Sequence, residues 1–238
     1  DEMKSAKWDD SYWFRGRCYE DCDDDLSTGI AVAIERIDRV TGERKQLSKA
    51  HHGLTQMLLV GDFVYWGIYG HHMSGGVSRV GKDGTGEISL TLEGGKDIDK
   101  VRHLQPTERG ILAITKTQVL WFPDRALLGR ELILKENVVS ATIDGNDAYI
   151  VESGDDSRAA KPSGYLYRVR LDGTDVKTLA GPLQLPQAIA VHDDTVFYML
   201  RKDATIYAIP TTGGEPRIAL LPRFDEQPCN ETASMWST

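Results

Sequence analysis

Cysteines, long apolar runs and bases to balance the acids are all in short supply in this 238-residue sequence. Twenty-eight Lys and Arg against 36 Asp and Glu leave a net charge of -8. A nucleic-acid binder needs a basic face to hold phosphates, so the balance argues against that class. Apolar runs such as Met57-Leu58-Leu59-Val60 fall far short of the roughly 20 residues a transmembrane helix needs. No sustained i, i+3, i+4, i+7 stripe marks an amphipathic helix. G-x-S-x-G, H-E-x-x-H, G-x-x-x-x-G-K-[ST] and a helix-opening G-x-G-x-x-G are all missing, and with them the common signatures of hydrolases, zinc proteases and nucleotide enzymes.

Cysteine is limited to Cys18, Cys22 and Cys229, all in polar segments where a buried apolar thiol is not expected. A disulfide fits such positions better, which points to a secreted or periplasmic chain with one thiol left over. Acid is concentrated at the start. Residues 1–25 hold nine acids and four bases, a net of -5 that leaves -3 for the rest.

What is abundant is short apolar runs punctuated by Gly, Asp and Asn, the pattern of many short strands. The runs repeat. Val60-Gly61-Asp62-Phe63-Val64-Tyr65-Trp66 has copies at Ile143-Asp144-Gly145-Asn146-Asp147-Ala148-Tyr149, at Val191-His192-Asp193-Asp194-Thr195-Val196-Phe197-Tyr198 and at Trp8–Phe14. Each reads as a strand, a tight turn and an aromatic strand, hence a hairpin. A second hairpin follows: Val77-Ser78-Arg79-Val80-Gly81-Lys82-Asp83-Gly84 matches Leu166-Tyr167-Arg168-Val169-Arg170-Leu171-Asp172-Gly173. Weaker copies run over 34–42 and 206–213, and Pro123-Asp124 replaces the glycine turn in the copy over 101–134. Four strands per unit at a period of about 40–45 residues is the signature of a β-propeller.

Phe63-Val64-Tyr65-Trp66 with Val77-Ser78-Arg79-Val80 and Lys82-Asp83-Gly84 resembles the YWTD-type repeat of lipoprotein-receptor propellers, and the related NHL and TolB-like propellers. Tyr165–Gly173 is the best single match, while Gly67-Ile68 stands where those repeats carry Thr-Asp. Such families usually have six blades. The resemblance implies a propeller fold and, loosely, a binding role.

The expected fold is therefore all-β: one five-bladed β-propeller over 1–238 with four-stranded blades near 1–50, 51–95, 96–137, 138–183 and 184–222. Residues 223–238 are the expected ring-closing strand, with 231–238 beside Ser11–Arg17; residues 3–8 compete for that slot. In the closed ring Cys229 is expected to bridge Cys18, with Cys22 as the alternative partner. Leu54, Met57, Leu59, Val64, Tyr65, Ile143, Tyr149, Ile189, Val191, Val196 and Phe197 are the expected core.

Turns on one face are uniformly short, so they are structural. Insertions fall on the other face, at Cys18–Gly29, Gly70–Gly75 and Ser153–Ser163, and variable length on one side of a repeat protein marks its binding face. His51, His52, His71, His72 and His103 map there, with Asp155, Asp156 and Arg158. One ring each from His52, His72 and His103 is the natural donor set for zinc. The acidic loop Asp21–Ser27 has alternate oxygens as calcium loops do, but Leu26 stands where such loops need glycine. Inner-strand candidates at 54–60, 138–143 and 187–191 carry no acid, which disfavours a glycosidase. Two functions remain. One is a non-catalytic module, without a required cofactor, that binds a protein or glycan. The other is a metal-dependent hydrolase or lactonase using the histidines.

Overall fold

The computed structural model describes residues 6–18, 31–69, 75–135, 137–153, 163–201 and 204–220. These form strands and tight turns almost throughout. The first sheet holds β1 (Ala6–Trp8), β2 (Tyr12–Cys18), β3 (Ala31–Asp38) and β4 (Arg44–Gln46) in that order, with the short β5 (His51–His52) also on β3. An eight-stranded sheet follows. Its halves are β6 (Leu54–Val60), β7 (Phe63–Ile68), β8 (Gly76–Gly81) and β9 (Ile88–Leu92), then β10 (Val101–Thr107), β11 (Gly110–Thr115), β12 (Gln118–Pro123) and β13 (Leu128–Leu134). Each half is an antiparallel meander, and the two join by a parallel bridge of only two pairs, Leu128 with Thr91 and Gly129 with Leu92. The last two sheets are β14 (Val138–Asp144), β15 (Asp147–Glu152), β16 (Gly164–Arg170), β17 (Lys177–Leu183), and β18 (Pro186–His192), β19 (Thr195–Leu200), β20 (Ile206–Pro210), β21 (Arg217–Leu220).

Turn chemistry makes these meanders. Val60 pairs Phe63, Thr107 pairs Gly110, Asp144 pairs Asp147 and His192 pairs Thr195, so four hairpins close over two residues. Asp193 and Asp194 both have positive φ, 45° and 57°, the geometry of a primed turn that follows strand twist. A second turn is a three-residue cassette, Asp-Gly-Thr, used twice. Asp83 Oδ1 accepts from the Thr85 amide and hydroxyl at 2.9 and 2.8 Å, and Asp172 accepts from the same two groups of Thr174. Between them Gly84 (φ 88°) and Gly173 (φ 79°) take the conformation that a Cβ would oppose. Where Pro123-Asp124 stands instead, Arg125 supplies the positive φ, 59°.

Adjacent meanders stack face to face through four apolar clusters. Phe14 and Ile34 meet Val64, Trp66 and Val80; Tyr65 and Val77 meet Leu104, Ile111 and Leu120. Leu112 and Trp121 meet Ala148, Ile150 and Val169; Tyr149, Val151 and Leu166 meet Val196, Tyr198 and Ile209. Alternation along a strand explains the sharing: Val64 and Trp66 point to one neighbour, Tyr65 to the other. A middle strand covered on both faces reads as an unbroken apolar run, and β11 is buried at all six positions.

Two expectations need correction. Met57, Val64, Tyr65, Tyr149 and Val196 are buried, but Leu54, Leu59, Ile143, Ile189, Val191 and Phe197 are only half-buried. Most of these lie on innermost strands with less sheet around them, and Ile143 and Val191 line an open cleft. The slot beside β2 is also filled differently. Ala6 pairs Arg15 and Trp8 pairs Trp13, so the slot goes to the competing segment within 3–8, as β1, and not to 231–238. The β1–β2 turn is local and capped, with Asp9 Oδ1 accepting from the Ser11 and Tyr12 amides at 3.0 and 2.9 Å. A pairing from the far end of the chain would have to close a very long loop at greater entropic cost. Residues 223–238 lie outside the described residues, as do Cys22 and Cys229. Cys18 pairs Val32 along the backbone, but its sulfur is likewise outside.

Candidate functional site

Antiparallel meanders sort their loops by side. The β6–β7, β10–β11, β14–β15 and β18–β19 turns emerge with the β8–β9 and β16–β17 turns on one side; the longer connections emerge on the other. Carboxylates on the tight side serve the backbone. Asp38 accepts from the Val40 and Thr41 amides, and Asp9 pairs Lys82 Nζ at 2.9 Å. Backbone amides hold the Asp38 carboxyl below its ordinary pKa, and the Thr85 amide does the same for Asp83.

On the longer-loop side the described residues include tyrosines and lysines built into the sheets. Tyr69, 41% exposed, donates its amide to Gly53 O at 2.7 Å, and Lys100 Nζ lies 5.0 Å from its ring centre. Lys116 is exposed at the β11–β12 turn, where the Thr117 hydroxyl donates to Asp99 at 3.0 Å. Next to it Lys135 Nζ sits 4.8 Å from the Tyr167 ring, and the Tyr167 hydroxyl donates to Glu152 at 2.9 Å. Contact with that phenol, then Glu152, holds Lys135 above its usual pKa; burial pushes the phenol itself up. Both groups keep their neutral-pH states, a fixed cation beside an amphipathic ring. Of the two rings only Tyr69 is open to solvent; Tyr167 is 7% exposed and packs in the apolar core.

The sequence-derived site residues distribute unevenly. His51 and His52 form β5, pairing Val32 and Ala31, with side chains outside the described residues. His103 lies on β10 at an irregularity between Val101 and His103, and partial burial lowers its pKa so that it is neutral at pH 7. His71, His72, Asp155, Asp156 and Arg158 lie outside the described residues, as does the acidic loop at 21–27. Among the described residues no three His, Cys, Asp or Glu side chains converge as a metal site would require.

A cleft of about 590 Å³ opens on the tight-turn side, unexpected from sequence. Pro106, Ile143 and Val191 give it apolar walls, with Glu108, Arg109 and Asp144 at its rim. Arg109 Nη1 donates to Gly145 O at 2.9 Å and Asn146 Oδ1 at 2.6 Å, tying two hairpin turns together. Asp144 faces Asp147 directly across strands, a like-charge pairing that costs stability. That pairing is the one sequence signal that could have drawn attention there.

No family model matches the chain, and no curated protein matches it. Solved structures do. Apo AztD from Citrobacter koseri superposes at TM-score 0.59 and 15% identity over 89% of this chain and 57% of that one. A prolyl endopeptidase structure superposes at 0.55 and 13%, over 90% and 34%. A chain of a nidogen/laminin complex reaches 0.47 at 14%, over 85% and 73%, too loose to carry an argument. This chain thus spans about half of AztD and a third of the endopeptidase. The two closer likenesses support a β-propeller-like all-β fold, and at such identity they speak to fold alone. No helix among the described residues is long and apolar enough to cross a membrane.

Proposed function

We propose that residues 1–238 form a single five-bladed β-propeller acting outside the cytoplasm as a non-catalytic binding module. The blades fall near 1–50, 51–95, 96–137, 138–183 and 184–222. The observation that carries the reading is the confinement of long connections to one side of five stacked meanders whose other turns are short and capped. A repeat scaffold with that asymmetry presents its variable side to a partner. The exposed Tyr69 supplies an aromatic contact of the kind enriched at protein interfaces, with Lys100 beside its ring, whereas the Tyr167 ring is buried and leaves only Lys135 at the surface. His51, His52, His71, His72, His103, Asp155, Asp156 and Arg158 belong to the same proposed face. A bridge from Cys229 to Cys18, with Cys22 as alternative, accompanies the extracytoplasmic location. The hydrolase alternative needs His52, His72 and His103 to converge on a metal, and the His52 side chain and all of His72 lie outside the described residues.

Partner capture from the native source, followed by affinity measurement with the purified partner, tests the proposal. Lys116→Glu combined with Tyr69→Ala should weaken binding at least tenfold, while Asp193→Asn on the tight-turn side leaves it unchanged. Equal affinity for all three proteins would overturn the assignment of the face.

A further inference from the structure

The sequence contains three Asp-Gly dipeptides, Asp83-Gly84, Asp144-Gly145 and Asp172-Gly173, all in turns on the tight-turn side and all with exposed aspartates. An Asp-Gly pair carries a built-in reaction. The glycine amide nitrogen can attack the aspartate Cγ, because the second residue has no Cβ to hinder the approach. In a folded chain the rate depends on whether the carboxyl and the amide are free to meet.

Two of the three pairs are held at both ends. The Thr85 and Thr174 amides and hydroxyls donate to the Asp83 and Asp172 carboxylates. The attacking amides are occupied too: Gly84 donates to Gly81 O and Gly173 to Arg170 O, each at 2.8 Å. Neighbouring sheets close around these glycines, since a Cβ on Gly84 would meet Leu47 Cδ2 at 3.2 Å and one on Gly173 would meet Glu131 O at 3.2 Å. Asp144-Gly145 differs on every count. It sits in a two-residue hairpin without a threonine cap, and a Cβ on Gly145 would meet nothing within 4 Å. Among the described residues nothing donates to the Asp144 carboxylate, and the Gly145 amide donates to nothing. Arg109 holds only the far side of the turn, at Gly145 O and Asn146 Oδ1.

We infer that Asp144 is a site of spontaneous isomerisation to isoaspartate, in a fold that shields the other two Asp-Gly pairs from the same reaction. The Gly145 nitrogen bonds to Asp144 Cγ, the amide proton and the carboxyl hydroxyl leave as water, and a succinimide ring closes. Water then opens the ring at the former main-chain carbonyl. The chain now runs through Cβ and Cγ, and the α-carboxylate becomes the side group. Charge is unchanged, but the backbone gains one methylene in a hairpin that closes over two residues. That turn lies on the cleft lined by Ile143, Asp144 and Gly145, so the modification alters the cleft's rim.

Peptide mapping of the full chain, aged for weeks at physiological temperature and neutral pH, tests the inference, with fragmentation that distinguishes isoaspartate from aspartate. Isoaspartate at position 144 should accumulate at least tenfold faster than at 83 or 172. The same chain aged in guanidinium chloride has lost its turns, so the three sites should there react within a few-fold of one another. Equal rates at the three sites in the folded chain would overturn the inference. So would the same tenfold preference for position 144 in guanidinium chloride, which would trace the order to sequence and not to the fold.

Discussion

Met57 is fully buried between the first two sheets, whereas Leu59, two residues along the same strand, is only half-buried. Met57→Ala should therefore cost roughly 2–5 kcal/mol and Leu59→Ala distinctly less, as read from urea unfolding. Both residues look alike in sequence. What separates them is how much neighbouring sheet each one meets, which period-two alternation does not encode. Tyr198 makes a different residue-scale prediction. Its ring stacks on Tyr207 at 5.5 Å between centres, and burial, with Tyr207 adding to it, pushes the phenol up to about 12. An unfolded tyrosine ionises near 10. The stability from keeping this phenol neutral is complete below about pH 10 and is lost as pH rises from there to about 12. Absorbance titration should show several tyrosines ionising late, Tyr149, Tyr167 and Tyr198 among them, with Tyr198→Phe removing the component near pH 12; ionisation of every tyrosine near pH 10 would contradict its burial.

At the scale of elements, the Asp-Gly-Thr cassettes and the two-residue hairpins were legible because each needs particular residues at particular places. Asp83 and Asp172 show why. Their carboxylates are held below the usual range by Thr85 and Thr174 donors, chiefly the Thr85 amide in the first and the Thr174 hydroxyl in the second. A lowered carboxylate stabilises the fold above its unfolded pKa and loses that contribution as pH falls through the folded value. Asp83→Ala should lower Tm at neutral pH, and the gap from the parent should close in strong acid. A gap that persists at low pH would mean that the cap contributes little. The β9–β13 bridge left no trace in the sequence, since two paired residues make no pattern. The cleft was hidden for a related reason: Pro106, Ile143 and Val191 come from three sheets and meet only once those sheets are stacked.

For the whole molecule, the repeat along the sequence corresponds to meanders stacked in series, each covering the apolar face of the one before. That much follows from periodicity and from strands that are apolar on both faces. The sequence placed 231–238 or 3–8 beside Ser11–Arg17, and local turn closure favoured the nearer segment, β1. The proposed binding face follows from loop lengths, and the lysine–tyrosine pairs form only once separate meanders are stacked. In the proposed function the longer-loop side docks a protein. Hydrogen-exchange footprinting of the chain, free and bound to its captured partner, tests this most directly. Protection should gather at Tyr69 and at the Lys116-Thr117 turn, with the Gly61-Asp62 and Asp193-Asp194 turns unchanged; protection confined to those tight turns would contradict it.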